Sequence, residues 1–139
     1  KLEQFPADQI YQINDSIDEK FDIAFECVGG NKSGDAINQA IDHLKVGGTL
    51  ILTGVAEEWV PINTRKILEK GITITGTTRS QRADFETAQE LFKEYKFYKS
   101  IENLQLSLNV VENISDYYKI FELESNNKLL GKHILKFNL

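Results

Sequence analysis

The chain has 139 residues, 41% of them hydrophobic, enough for one domain with a real core. Its net charge of −5 leaves no basic footprint for nucleic acid or an anionic membrane, each of which calls for clustered Lys and Arg. No apolar run reaches transmembrane length and "KLEQFPADQI" lacks the layout of a signal peptide, so a soluble cytoplasmic protein is expected. The lone Cys27 closes no internal disulfide, and one Cys with His43 and His133 is a poor inventory for zinc. The absence of Met and the start at Lys1 point to a fragment, processed or deliberately cut.

In chain order, short β-rich runs alternate with amphipathic helical runs, the pattern of an α/β domain with a mostly parallel sheet. "QIYQI" (9–13) is a candidate strand, and "FDIAFECV" reads as a central strand buried on both faces. "SGDAINQAIDHL" puts Ala36, Ile37, Ala40, Ile41 and Leu44 on one helical face, with Ser33 as its cap and Gly47 and Gly48 as its terminating turn. "TLILTGV" (49–55) is the next buried strand. Pro61 in "WVPIN" suits an edge strand or an extended linker, Asn63 caps a short helix, and Gly71 ends it. "ITITGTT" alternates Ile with Thr and predicts a less buried strand. One long helix is expected over "ADFETAQELFKEYKFY". The remainder, "LSLNVVENISDYYKIFELESNNKLLGKHILKFNL", reads as a strand, a capped helix from Ser115, an Asn-rich turn, and the final strand "HILKF".

Ligands of open parallel sheets bind beyond the carboxyl ends of the strands. Here three such ends, "CVGG", "TGVA" and "GTTRS", carry small or polar residues. One glycine after a strand is only a turn; three successive ends of this kind make a crevice for a flat ligand, with helix-opening N–H groups for its oxygens. Arg79 and Arg82 follow the third end with forked donors for phosphate, although an exposed arginine on a first helical turn is ordinarily just solvated. Cys27, expected in a strand without a basic neighbour, reads as an inert core thiol, and His43 near a helix end as structural. Lys132 either reaches a phosphate or faces solvent. No catalytic constellation or metal set assembles from these residues.

Taken together, "FDIAFECVGG", "AINQAIDHLKVGGTLILTGV", "INTRKILEKGITITGTTRS" and "LLGKHILKF" resemble the cofactor domain of medium-chain, zinc-dependent alcohol dehydrogenases. "FECVGG" with "NTRKILEKG" and "RSQRADF" looks most like that family's ribitol-phosphate dehydrogenase, or ribulose 5-phosphate reductase, branch, which serves the synthesis of CDP-ribitol for teichoic-acid-type polymers. The resemblance implies a Rossmann-like, doubly wound fold across residues 1–139, truncated by the first two strands, with the zinc and catalytic domain outside the chain. In the order 3-2-1-4-5-6 the missing pair would lie between "QIYQI" and "FDIAFECV". It places Val28 and Gly29 beside the adenosine ribose, and Gly54, Val55 and Ala56 against the nicotinamide. Thr78, Arg79 and Ser80 fall in the loop near the nicotinamide end, and Lys132 at the pyrophosphate. NADP is favoured over NAD, zinc belongs to the intact parent only, and the substrate is a small polyol or sugar phosphate. A homodimer is implied through the edge formed by Trp59 to Asn63 and Ile72 to Gly76.

Two other readings stand beside this one. "FDIAFE" followed by "HLKVGGTLILTG" also resembles half of an S-adenosylmethionine-dependent methyltransferase, up to Gly54. A non-catalytic oligomerisation module is the third.

Overall fold

The computed structural model describes residues 7–11, 15–126 and 131–138, with only the backbone of Asn103. They fall into two compact units, Tyr11–Arg79 and one built mainly from residues 80–138.

In the first unit, strand β1 (Phe21–Glu26), helix α1 (Ser33–His43), strand β2 (Leu44–Leu52), helix α2 (Thr64–Lys70) and strand β3 (Thr73–Gly76) alternate. The three strands are parallel in the order β1-β2-β3. Register aligns Ala24, Leu50 and Ile74 on one face of the sheet. Against this face pack Ile37 and Ile41 of α1 and Ile67 of α2, with Leu44 and Ile72 completing the buried cluster. Each fully buried aliphatic side chain here contributes about 1.5–3 kcal/mol, which is what holds the helices to the sheet.

Strand β1 differs from the expectation of burial on both faces. Ile23 is 57% and Phe25 65% exposed. Successive strand residues point to opposite faces, and α1 and α2 cover only the face that carries Ala24. The strand also ends at Glu26, leaving Cys27 exposed rather than in a core. The strand expected at "QIYQI" is not formed at Gln9–Tyr11; residues 12–14 lie outside the described residues.

Several caps sit where local chemistry puts them. The Asn63 side chain accepts from Lys66 N at 3.1 Å. Gly71 takes the left-handed conformation, φ 61°, and Ile72 N donates back to Ile67 O at 3.0 Å, closing a Schellman turn. Helix α1 ends by another means. It stops at His43, before Gly47 and Gly48, and Lys70 Nζ donates to the carbonyls of Ile41, Asp42 and Leu44 at 2.8–2.9 Å. An ammonium on the last carbonyls of a helix satisfies orphan acceptors and opposes the negative end of the dipole. Gly47 and Gly48 instead form an irregularity inside β2, where Phe21 pairs with Leu44 but Ile23 with Thr49. Ser33 is not a cap: a turn of 3-10 helix, Gly30–Lys32, runs directly into α1 and Ser33 is buried within it.

"WVPIN" is a linker without strand pairing, held to α1 by Asn38, whose amide donates to Pro61 O (3.0 Å) and accepts from Asn63 N (2.8 Å).

The second unit contains α3 (Arg82–Phe92), α4 (Tyr95–Ile101), β4 (Gln105–Val111), α5 (Ile114–Asn126) and β5 (Lys132–Phe137), with β4 and β5 parallel. The single helix expected over residues 83–98 is broken at Glu94, whose ψ of 112° is extended. The break brings Phe92 and Phe97 edge to face at 5.7 Å, a five-residue spacing that a straight helix does not align. Helix α5 is capped, as expected, and starts one residue ahead of Ser115: Asn113 Oδ1 accepts from Ser115 N (2.9 Å) and Asp116 N (3.2 Å). Tyr117 packs on Phe121 at 4.7 Å and faces Phe137 at 6.4 Å, fastening α5 to β5. Of the expected Asn-rich turn, residues 127–130 lie outside the described residues.

Candidate functional site

The carboxyl ends of β1 and β2 meet in one interlocked turn. Gly29 (φ 64°, ψ −171°) needs the freedom of glycine, and a Cβ on it would stand 2.8 Å from Val55 O. A Cβ on Gly54 would lie 2.6 and 2.7 Å from the carboxyl oxygens of Glu26 and closer still to Gly29 N. Gly30 N donates to Val55 O at 2.7 Å, while Thr53 N and Gly54 N both donate to Glu26 O. The backbone of residues 28–30 therefore lies directly against that of 53–55, flanked by the exposed side chains of Val28 and Val55.

At the centre is a residue that belongs to none of the strand-end motifs "CVGG", "TGVA" and "GTTRS". Glu26 is only 3% exposed, and its Oε1 accepts from both Val28 N and Gly29 N at 2.8 Å. Its Oε2 is buried with no hydrogen-bond partner. The signal in the sequence was an acidic residue two positions after Ala24, hence on the helix-covered face of the strand.

This arrangement changes what the turn offers. Its N–H groups were expected to meet phosphate or hydroxyl oxygens; those of Val28, Gly29 and Gly30 are already taken by Glu26 and Val55. What remains is a side-chain-poor turn bordered by two exposed valines, suited to van der Waals contact with a ring or sugar. A groove of about 280 Å³ along β1 and α1 reaches Glu26, Cys27 and Val28 and is also lined by His43. Val28, Gly29, Gly54, Val55 and Ala56 are thus brought together by the fold.

Thr78 and Arg79 follow β3 and are exposed, Arg79 with a left-handed φ of 63°. Ser80 and Lys132 belong to the other unit. Ser80 is exposed, and Lys132 opens β5 and pairs with Glu124 Oε1 at 3.1 Å. Arg82, a candidate phosphate donor, is paired along its own helix with Glu86 at 2.8 Å. Cys27 Sγ accepts from Thr53 Oγ1 at 3.2 Å. Among the described residues no group of three or more His, Cys, Asp or Glu is placed to hold a metal ion.

Residues 6–94 match the family described as zinc-binding dehydrogenase. The chain belongs to the zinc-binding dehydrogenase family. The chain is 39% identical to a ribulose-5-phosphate reductase of Streptococcus pneumoniae, across 91% of the chain and 37% of that protein. It is 37% identical to ribulose-5-phosphate reductase 2 of Staphylococcus aureus, across 100% of the chain and 41% of that protein. Its fold superposes on the crystal structure of S. aureus TarJ in complex with NADPH with a TM-score of 0.94 at 35% identity, covering 99% of the chain and 44% of TarJ. The chain therefore spans about two fifths of the length of these relatives. The matches carry the α/β Rossmann-like expectation and favour the dehydrogenase reading over the methyltransferase one.

Proposed function

We propose that this chain is the cofactor-binding portion of an NADP-dependent, zinc-assisted polyol-phosphate dehydrogenase that interconverts ribulose 5-phosphate and ribitol 5-phosphate in the cytoplasm. The supporting observation is the likeness to the NADPH-bound TarJ structure over nearly the whole chain. The turn of Val28, Gly29, Gly54, Val55 and Ala56 suits a dinucleotide: its glycines, which have no room for a Cβ, let the two strand ends interlock, and Val28 and Val55 stand exposed beside them for apolar contact with a ring or ribose. Bound NADPH supplies the hydride; this chain's part is to orient it and keep water from its flat faces. Lys132 presents an exposed ammonium whose competing pair with Glu124 is worth at most about 1 kcal/mol, so an anionic oxygen can displace it. Zinc finds no donor set among the described residues and is assigned to the parent protein outside this chain.

In the test, the coding sequence is expressed at the length of the relatives and assayed for NADPH oxidation with ribulose 5-phosphate. Turnover is expected there and none from the 139 residues alone, which should bind NADPH no tighter than roughly 1 mM for want of a glycine-rich phosphate cradle. Turnover by the 139 residues alone would overturn the assignment.

We also infer a homodimer through Trp59 to Asn63 and Ile72 to Gly76. Strand β3 is the edge of its sheet, and Trp59 is fully exposed with Ile62 near it in sequence. Ile62→Asp is expected to convert dimer to monomer in light-scattering sizing; an unchanged mass refutes this edge.

A further inference from the structure

We propose that Glu26 is a positioning residue for the cofactor turn, acting through the backbone of Val28 and Gly29 without touching the cofactor. The inference rests on the dehydrogenase reading and adds a role to a residue outside the family-derived site. Glu26 is 3% exposed, and among the described residues no cation pairs with its carboxyl group. Oε1 accepts two backbone N–H bonds, whereas Oε2 accepts none. A buried polar oxygen without a partner opposes folding, and an aliphatic side chain of similar size would fill the same space without that cost.

What the carboxyl alone supplies is an acceptor under the turn. It draws the N–H groups of residues 28 and 29 inward, fixes Gly29 at its positive φ, and leaves Gly30 N aimed at Val55 O. Two strand ends thereby become one rigid wall. Freed of this acceptor, the N–H groups of residues 28 and 29 would turn to water, and the wall would have to be reassembled each time cofactor binds. The effect should fall on cofactor affinity and leave the sugar phosphate's own contacts unchanged.

The test uses the full-length protein with Glu26→Leu, Glu26→Gln and Glu26→Asp. NADPH affinity is read by nucleotide fluorescence, and hydrogen–deuterium exchange is followed in the peptide spanning residues 27–30. Glu26→Leu is expected to weaken NADPH about tenfold and to speed exchange in that peptide, with the KM for ribulose 5-phosphate at saturating NADPH within about twofold. Glu26→Gln, which keeps an acceptor oxygen, should restore affinity to within about threefold of wild type. Faster exchange with unchanged NADPH affinity would mean a purely structural role and overturn the proposal, as would a Gln variant no better than Leu. If the Leu variant is insoluble, Glu26→Asp decides: a shortened reach should raise both exchange and Kd, and unchanged values refute the clamp. A wild-type protein that binds no NADPH would overturn the dehydrogenase reading instead, and the exchange rates of residues 27–30 would still judge the clamp.

Discussion

Replacing Gly54 with alanine is expected to destabilise the chain by about 3 kcal/mol, near the upper end of what overpacking costs. The added methyl would meet both oxygens of Glu26 and the nitrogen of Gly29 inside van der Waals distance. Such a clash is cheap when a flexible side chain can swing away. Here the carboxyl is buried and tied by two N–H bonds, and the other obstacle is backbone. Gly76→Ala is the control. It occupies the end of the neighbouring strand, where the nearest atom to a new Cβ is Leu52 O at an ordinary 3.7 Å, and its cost should stay below about 0.5 kcal/mol. Urea unfolding of the three proteins measures the difference as a shift in midpoint with the slope unchanged. A midpoint for Gly54→Ala equal to that of Gly76→Ala would show that the strand ends are not interlocked.

The second large effect is expected at Leu50, 0% exposed in the carboxyl half of the central strand between Ala24 and Ile74. Leu50→Ala removes apolar contacts and leaves a cavity that α1 and the sheet can only partly close, a loss of about 2–5 kcal/mol. Val46→Ala in the same strand, at a strongly exposed position, should change stability by less than about 0.5 kcal/mol. A loss below about 1 kcal/mol for Leu50→Ala, read from the same unfolding curves, would mean that this core collapses freely around a vacancy.

What could be read from the sequence was mostly what local chemistry decides. Asn63 and Gly71 bracket α2 because an Asx cap and a left-handed glycine act within four residues of themselves. The end of α1 is not legible locally because its carbonyls are satisfied by Lys70, 26 to 29 residues away, a partner that no local window contains. The break at Glu94 escaped because neither Gly nor Pro marks it; the contact between Phe92 and Phe97 rewards it instead. At the candidate site, glycines at strand ends were visible as small residues after apolar runs. That their N–H groups were already occupied was not visible, since this depends on Glu26 reaching beneath the turn and on Val55 arriving from the next strand.

The exposure of Ile23 and Phe25 on β1 has a calorimetric consequence. Ile23 and Phe25 are already hydrated in the folded chain, so unfolding brings less new apolar surface into water than a sheet sandwiched between two helical layers would. The heat-capacity increment should fall below the usual ~12–15 cal/mol/K per residue, and the stability curve of this chain should be correspondingly flat with temperature.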